Sequence, residues 1–128
     1  MRIGELAQAA GTTAKTLRFY EDQGLLTAAR TGSGYRDYGP EALARLDFIR
    51  RGRAAALTLA QIRQILQIRD SGTAPCEHVR ELLGMRLAEV DRQIAELGRL
   101  RETVAQLHAA TEAVEPETCQ TDAICVYL

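Results

Sequence analysis

The chain has 128 residues, of which 46% are hydrophobic and 26% are charged, and its formal net charge at pH 7 is -1. This composition excludes a disordered or collagen-like polymer and indicates one or at most two small domains. Aromatic residues make up only 5% and tryptophan is absent, which argues against a large aromatic-rich β-sandwich. The abundance of Ala, Leu, Arg, Glu and Gln favours a mainly α protein.

The distribution of charge and cysteine narrows the class further. Residues 1–53 carry a net charge of +3 and residues 54–128 a net charge of -4, which suggests a polyanion-binding head on a separate body. No stretch reaches the roughly 20 apolar residues that a membrane-spanning helix needs, and a signal peptide is not recognisable. We therefore expect a cytoplasmic protein with no membrane partner, whose three cysteines are reduced thiols.

Residues 1–24 predict two short helices joined by a tight turn. Apolar residues three and four apart form one face of the first helix, which Gly11 ends. Thr12 or Thr13 is expected to cap the second helix, and Gly24 marks its exit. The second helix carries side chains able to reach phosphates and base edges from the major groove, namely Thr13, Lys15, Thr16, Arg18 and Tyr20. The alternative is a solvated amphipathic helix that does not touch DNA.

Residues 31–40 predict a small β-wing. Two glycines around a serine form a flexible turn, and the segment from Tyr35 to Tyr38 suits a short strand with its aromatic residues on one side. Tyr35 and Arg36 near the tip are expected to hold a phosphate backbone, Arg by charge and Tyr by hydroxyl donation. Pro40 at a first helical position then starts a third helix that reaches about Arg53.

The chain closely resembles the MerR family of bacterial transcription regulators in two segments, IGELAQAAGTTAKTLRFYEDQGLL and SGYRDYGPEALARLDFIRRGRAAALTLAQIRQIL. The resemblance covers residues 1 to about 70. It implies a winged helix-turn-helix with a second helix pair, joined to a long dimerisation helix. It also implies DNA contacts at Thr13, Lys15, Arg18, Tyr20, Tyr35 and Arg36. Many relatives carry a glycine before the second helix pair, where this chain has Ala56-Leu57.

The C-terminal half predicts a dimer. Thr58 starts a fourth helix that ends near Ser71-Gly72, and the chain from Cys76 to about Ala113 lacks proline and reads as one long helix. Its apolar residues follow a heptad pattern with one polar interruption at Arg101, namely Leu83, Leu87, Val90, Ile94, Leu97, Val104 and Leu107. A single helix cannot bury that face, so we expect a homodimer. The pattern itself leaves parallel and antiparallel pairing open, and the alternative is a helix folded back on its own domain in a monomer.

We therefore divide the chain into a DNA-binding domain at 1–70, a dimerisation helix at 71–113 and a C-terminal effector loop at 114–128. Cys76 begins the long helix, whereas Cys119 and Cys125 lie beyond its end. A helix of this length spans roughly 55 Å, so Cys76 cannot meet the other two within one chain. Antiparallel pairing removes the difficulty because it brings Cys76 of one subunit beside Cys119 and Cys125 of its partner.

Three thiolates form a soft ligand set that suits Hg(II), Cd(II), Zn(II), Cu(I) or Pb(II). A divalent ion leaves a smaller net charge than a monovalent ion, which favours Hg, Pb, Cd or Zn. The family resemblance also places a cysteine at position 76 in the divalent-ion branch. His78, His108 and Asp122 are possible further ligands, although surface side chains of this kind usually bind no metal. The cysteines themselves are alternatively small buried residues without a ligand.

These features predict a metal-responsive transcription regulator that binds an approximately palindromic promoter operator as a homodimer. The resemblance implies that such a regulator distorts double-stranded DNA with an overlong spacer so that RNA polymerase engages both promoter elements. A thiol-based redox or electrophile sensor of the same fold is the alternative. The sequence lacks Cys-x-x-Cys, a nucleophile elbow and a phosphate-binding glycine loop, so we expect no enzyme. A metal-buffering or purely structural coiled coil would have no use for the wing.

Overall fold

A computed structural model describes residues 1–30, 32, 34–113, 115, 117, 124, 125 and 128. The described elements are α1 (Ile3–Ala10), α2 (Ala14–Asp22), β1 (Ala29–Arg30), β2 (Arg36–Asp37), α3 (Glu41–Ala54), α4 (Leu59–Asp70) and α5 (Cys76–Ala113). They confirm the expected mainly α fold, with a helix-turn-helix, a short wing and a long C-terminal helix. Contacts divide the chain into two compact units, Met1–Arg86 and Leu87–Leu128. None of the helices in the described ranges is long and apolar enough to cross a membrane.

The turn between α1 and α2 forms as its residue types predict. Gly11 adopts a left-handed backbone with φ 69°, a conformation that costs glycine little. The Thr12 N–H then donates to the Ala7 carbonyl at 2.9 Å. Thr13, not Thr12, caps α2, because its hydroxyl accepts a hydrogen bond of 3.1 Å from the Thr16 N–H.

The wing is a two-stranded antiparallel hairpin in which Ala29 pairs with Asp37. Tyr35 is 59% exposed, whereas Tyr38 is only 2% exposed. The expectation that both aromatic residues lie on one side was therefore wrong. They are three positions apart, and successive side chains of an extended chain point to opposite faces. The third helix begins at Glu41, one residue later than expected, and Pro40 is its N-cap.

One hydrophobic core holds the first unit together. It takes side chains from α1, α2, α3, α4 and the start of α5, with Leu6, Leu17 and Ile62 fully buried. Arg45 connects three segments at the edge of this core. Its Nε donates to the Leu25 carbonyl at 2.5 Å, and its two terminal nitrogens donate to the Asp70 carboxylate at 2.9 and 3.0 Å. These hydrogen bonds from Arg45 hold the pKa of Asp70 below its ordinary value.

Two positions near the end of α3 are tightly constrained, Gly52 within the helix and Ala56 in the turn that follows it. Gly52 is buried, and a Cβ added there would lie 2.9 Å from both Cγ1 and Cδ1 of Ile62. Ala56 has φ 59°, in the left-handed region that L side chains seldom adopt. This is the position where the sequence resemblance expects glycine. The turn therefore has the left-handed backbone that glycine adopts most easily, although the residue here is alanine.

Thr58 opens α4 with a reciprocal cap. Its hydroxyl accepts from the Gln61 N–H at 3.1 Å, and the Gln61 side-chain oxygen accepts from the Thr58 N–H at 3.0 Å. The threonine therefore starts the fourth helix as the sequence predicts.

In the second unit, α5 presents a continuous apolar face to solvent. Leu97, Leu100 and Val104 are 65%, 57% and 54% exposed, and they line a shallow groove of about 460 Å³ together with Arg101, Ala105 and His108. Leu100 was not part of the predicted heptad series. It lies beside the polar interruption at Arg101, so the apolar face continues where the series alone predicts a break.

Candidate nucleic-acid interface and cysteine residues

The outward face of α2 is set by its single fully buried residue. Leu17 is 0% exposed, and positions two residues before it or one and two residues after it point away from the core at 100° per residue. Lys15 and Arg18 lie there and are exposed. Phe19 lies next to Lys15 around the helix, on the side away from Arg18, and is 46% exposed. Sequence analysis missed Phe19, although its spacing from Leu17 was sufficient to place it on this face.

The other predicted α2 residues have structural contacts of their own. The Thr13 and Thr16 hydroxyls are 3.0 Å apart, so they hydrogen-bond to each other at the start of the helix. Tyr20 is half-buried against the core, and its ring centroid lies 6.1 Å from that of Phe19. Thr13, Lys15 and Arg18 are therefore exposed among the predicted contacts, whereas Thr16 and Tyr20 are half-buried.

Glu21 joins the wing to α2. Its Oε2 lies 2.9 Å from Nε of Arg36 and accepts a hydrogen bond of 3.0 Å from the Tyr38 hydroxyl. Burial, followed by the hydrogen bond from Tyr38 to Glu21, raises the pKa of Tyr38 to about 12. Sequence analysis did not identify Glu21, because a single acidic residue on a helix carries no sign of a partner 15 or 17 positions further along.

A basic cleft of about 180 Å³ lies where α1, α2 and the wing meet. Its described lining consists of Arg2, Ile3, Arg18, Gly34, Tyr35 and Arg36, and none of these residues is acidic. The guanidinium carbon of Arg2 lies 4.2 Å from the centroid of the Tyr35 ring, which is a cation–π contact. Tyr35 and Arg36 thus lie at the wing as predicted, and Arg2 is an addition that the sequence did not reveal.

The predicted metal ligands are only partly described. Cys76 is the exposed first residue of α5, and Cys125 is half-buried in the C-terminal segment. Cys119 and Asp122 lie outside the described residues. Within the residues that are described, no three side chains of Cys, His, Asp or Glu come together in a way that would hold a metal ion.

The two histidines differ in environment. His78 is half-buried, and its Nε2 is buried without a hydrogen-bond partner. His108 is 75% exposed, with Nε2 at 3.7 Å from the Glu112 carboxylate. Neither belongs to a group of three possible ligands among the described residues, so their part in metal binding stays a prediction.

Comparison with known proteins places this arrangement in a family. The model for the "MerR HTH family regulatory protein" matches residues 1–68, and the model for "MerR, DNA binding" matches residues 43–107. The chain belongs to the MerR family. The resemblance found in the sequence is therefore confirmed, and this MerR-family chain is a DNA-binding transcription regulator.

Two relatives are similar along most of their length. The HTH-type transcriptional regulator HmrR of Rhizobium leguminosarum bv. viciae is 35% identical, covering 93% of this chain and 92% of the relative. The HTH-type transcriptional regulator ZntR of Escherichia coli K12 is 39% identical, covering 85% of this chain and 79% of the relative.

Two solved structures share the fold. The regulator PbrR691 of Ralstonia metallidurans CH34, in complex with lead(II), superposes with a TM-score of 0.77 at 39% identity, over 93% of this chain and 94% of that one. HiNmlR, a MerR-family regulator bound to promoter DNA, gives a TM-score of 0.58 at 26% identity, over 88% and 93% of the two chains.

Proposed function

We propose that this MerR-family protein is a metal-responsive regulator that binds a palindromic promoter operator as a homodimer and changes the shape of the DNA when a divalent thiophilic ion binds. The observation that carries the proposal is the exposed Cys76 at the first residue of α5, in a chain 39% identical to a regulator solved with lead(II). The DNA surface and the long apolar helix face support it independently.

Binding of the duplex is assigned to α2 and the wing. Lys15 and Arg18 project from the exposed face of α2 and would reach base edges and phosphates in the major groove. Tyr35 and Arg36 would hold the adjacent backbone, with Arg36 oriented by its ion pair to Glu21 at 2.9 Å. Thr13, Thr16 and Tyr20 complete the proposed contact set at the edge of the helix.

Dimerisation is assigned to the exposed face of α5. Leu87, Ile94, Leu97 and Leu100 are each more than half exposed, and complete burial of one such side chain contributes about 1.5–3 kcal/mol. A second copy offers an identical apolar face of matching length. Of the two possible directions we propose the antiparallel one, because it brings Cys76 towards the C-terminal segment of the partner.

The proposed metal site combines Cys76 of one protomer with Cys119 and Cys125 of the other. Thiolate donors suit soft divalent ions such as Hg(II), Pb(II), Cd(II) or Zn(II), and the exposed Cys76 sulfur is accessible to such an ion. When bound, the ion supplies a positive centre that links the two protomers. His78, His108 and Asp122 remain candidates for additional ligands.

A site shared between protomers gives the protein a way to act on DNA. Ligands drawn from both chains favour one relative angle of the two DNA-binding heads. Because each head holds its own half of the operator, a changed angle must bend or untwist the duplex between them. We propose that RNA polymerase responds to this change of shape, and that the affinity for the operator changes much less.

The test combines metal titration with footprinting. Reduced protein is titrated with Hg(II), Pb(II), Cd(II) and Zn(II) in turn while thiolate-to-metal charge-transfer absorption is recorded, and we expect saturation at one ion per proposed site. The variants Cys76→Ser, Cys119→Ser and Cys125→Ser should each weaken the band and lower the affinity for the ion, and Arg80→Ala, in an exposed residue of α5, serves as the neighbouring control. Loss of response at one cysteine alone would favour the redox or electrophile sensor.

The DNA step is tested on the same preparations. The metal-loaded protein should protect the same operator as the metal-free protein while the cleavage pattern between the half-sites changes. Release of the operator on addition of metal would contradict the proposed mechanism.

A further inference from the structure

We infer that the basic cleft formed by Arg2, Arg18, Tyr35 and Arg36 binds one backbone phosphate of the duplex, with Arg2 as a direct phosphate ligand. This inference rests on the proposed binding of promoter DNA by α2 and the wing. It adds Arg2, which precedes α1, to the proposed DNA-binding surface, and it assigns one backbone phosphate to the cleft.

The composition of the cleft indicates an anion. Three guanidinium groups from different parts of the chain line a space of about 180 Å³, and no carboxylate is among its described lining residues. The carboxylate of Glu21, a residue of α2, forms an ion pair of 2.9 Å with Arg36. Glu21 therefore offsets one of the three positive charges, and Glu5, whose carboxylate lies 3.0 Å from the Arg2 backbone nitrogen, offsets part of another. A net positive charge is left in the cleft for an external anion.

Arg2 is positioned for this role by its neighbours. Its guanidinium carbon lies 4.2 Å from the centroid of the Tyr35 ring, a cation–π contact that holds the charged group at the cleft. Its backbone N–H donates to the Glu5 carboxylate at 3.0 Å, so the residue is fixed at the start of α1. The Tyr38 N–H also donates to the Met1 carbonyl at 2.8 Å, which ties the segment before α1 to the end of the wing.

The size of the space agrees with one phosphate group. A volume of about 180 Å³ is too small for a base pair, and three guanidinium groups that line one small space match the several acceptor oxygens of a single phosphate. The cleft therefore contributes affinity and register and carries no sequence preference of its own.

The first experiment measures operator affinity against KCl concentration for the full-length protein. Each phosphate contact contributes about 0.9 to the slope of log affinity against log salt, so Arg2→Ala in a dimer should lower the slope by about 1.8. The affinity ratio of wild type to variant should then fall about 12-fold between about 50 and 200 mM salt. Arg2→Lys, which keeps the charge, should restore most of the slope.

Arg80→Ala is the matched control, because Arg80 is an exposed arginine of α5 that is not among the lining residues. It removes the same charge and should leave the slope unchanged. An unchanged slope in Arg2→Ala, or an equal change in Arg80→Ala, would overturn the inference.

The second experiment identifies the phosphate and separates direct contact from support of the wing. Duplexes carry a neutral methylphosphonate at one symmetric pair of backbone positions, moved stepwise along the operator. At one pair, Arg2→Ala should cause no further loss of affinity, whereas Lys15→Ala, which is not among the lining residues of the cleft, should still weaken binding there. If the losses add at every position, Arg2 is not a phosphate ligand.

The two proposals fail in distinguishable ways. If wild-type protein shows no salt-dependent operator binding and Arg18→Ala has no effect, the proposed function itself is wrong. If Arg18→Ala weakens binding and Arg2→Ala leaves both the affinity and the slope unchanged, only the phosphate cleft is wrong.

Discussion

Replacing Ala56 by glycine should stabilise the protein, although removing a methyl group usually has the opposite effect. Ala56 has φ 59°, and a left-handed backbone costs an L residue about 1–2 kcal/mol. Glycine removes that cost but adds about 0.4–1 kcal/mol of unfolded-state entropy. Because Ala56 is exposed and its methyl group contributes no core packing, we expect a net gain of about 0.5–1 kcal/mol.

Urea unfolding followed by circular dichroism measures this gain, at a fixed protomer concentration because dimerisation contributes to the apparent stability. The control is Ala54→Gly, in the exposed last residue of α3. There the backbone is helical, so glycine should destabilise by about 0.5–1 kcal/mol. The two substitutions remove the same methyl group and should shift the midpoint in opposite directions. A loss of stability in both variants would refute the left-handed conformation at Ala56.

Three further predictions concern the core, the wing and the dimer. Gly52→Ala should destabilise by about 1–2 kcal/mol in urea unfolding, because the clash with the buried Ile62 outweighs the better helix propensity of alanine; an unchanged midpoint would contradict the close approach. The folded-state pKa of Tyr38 is raised from 10.0 to about 12, so the neutral hydroxyl stabilises the fold below pH 10 and this stability, up to about 3 kcal/mol, is lost as the pH rises through 12. Tyr38→Phe should therefore show a shallower decline of its urea midpoint above pH 10 than wild type, and parallel declines would count against the prediction. Leu97→Arg places a charge in the exposed apolar face of α5 and should shift sedimentation towards a monomer while the helix content stays the same; a persistent dimer would locate the interface elsewhere.

Local signals predicted the helical elements well because each has a chemical cause in a few adjacent residues. Gly11 ends α1 with a left-handed backbone, and the hydroxyls of Thr13 and Thr58 cap the following helices. The wing was predicted from its glycines and alternating residues, but the sides of Tyr35 and Tyr38 were not. Tyr38 is buried in the core and donates to the Glu21 carboxylate, and both the core and Glu21 lie outside the hairpin sequence.

The proposed DNA-facing surface shows the same division. Lys15 and Arg18 follow from helix periodicity once Leu17 is taken as the buried position. Arg2 could not be found in this way, because its place in the cleft depends on the fold that brings Tyr35 beside it. Contacts between distant parts of a chain leave no periodic trace in a single sequence.

Glu21 has a consequence for attempts to redesign operator preference. Its one carboxylate contacts both Arg36 and Tyr38, so this side chain links α2, the proposed recognition helix, to the hairpin. A library that randomises every outward-facing position of α2, Glu21 included, would remove these two contacts in most of its members. The affinity of the wing for the DNA backbone would then change together with the base preference. Keeping position 21 acidic while varying Lys15, which is not among the lining residues of the basic cleft, would preserve the contacts to Arg36 and Tyr38.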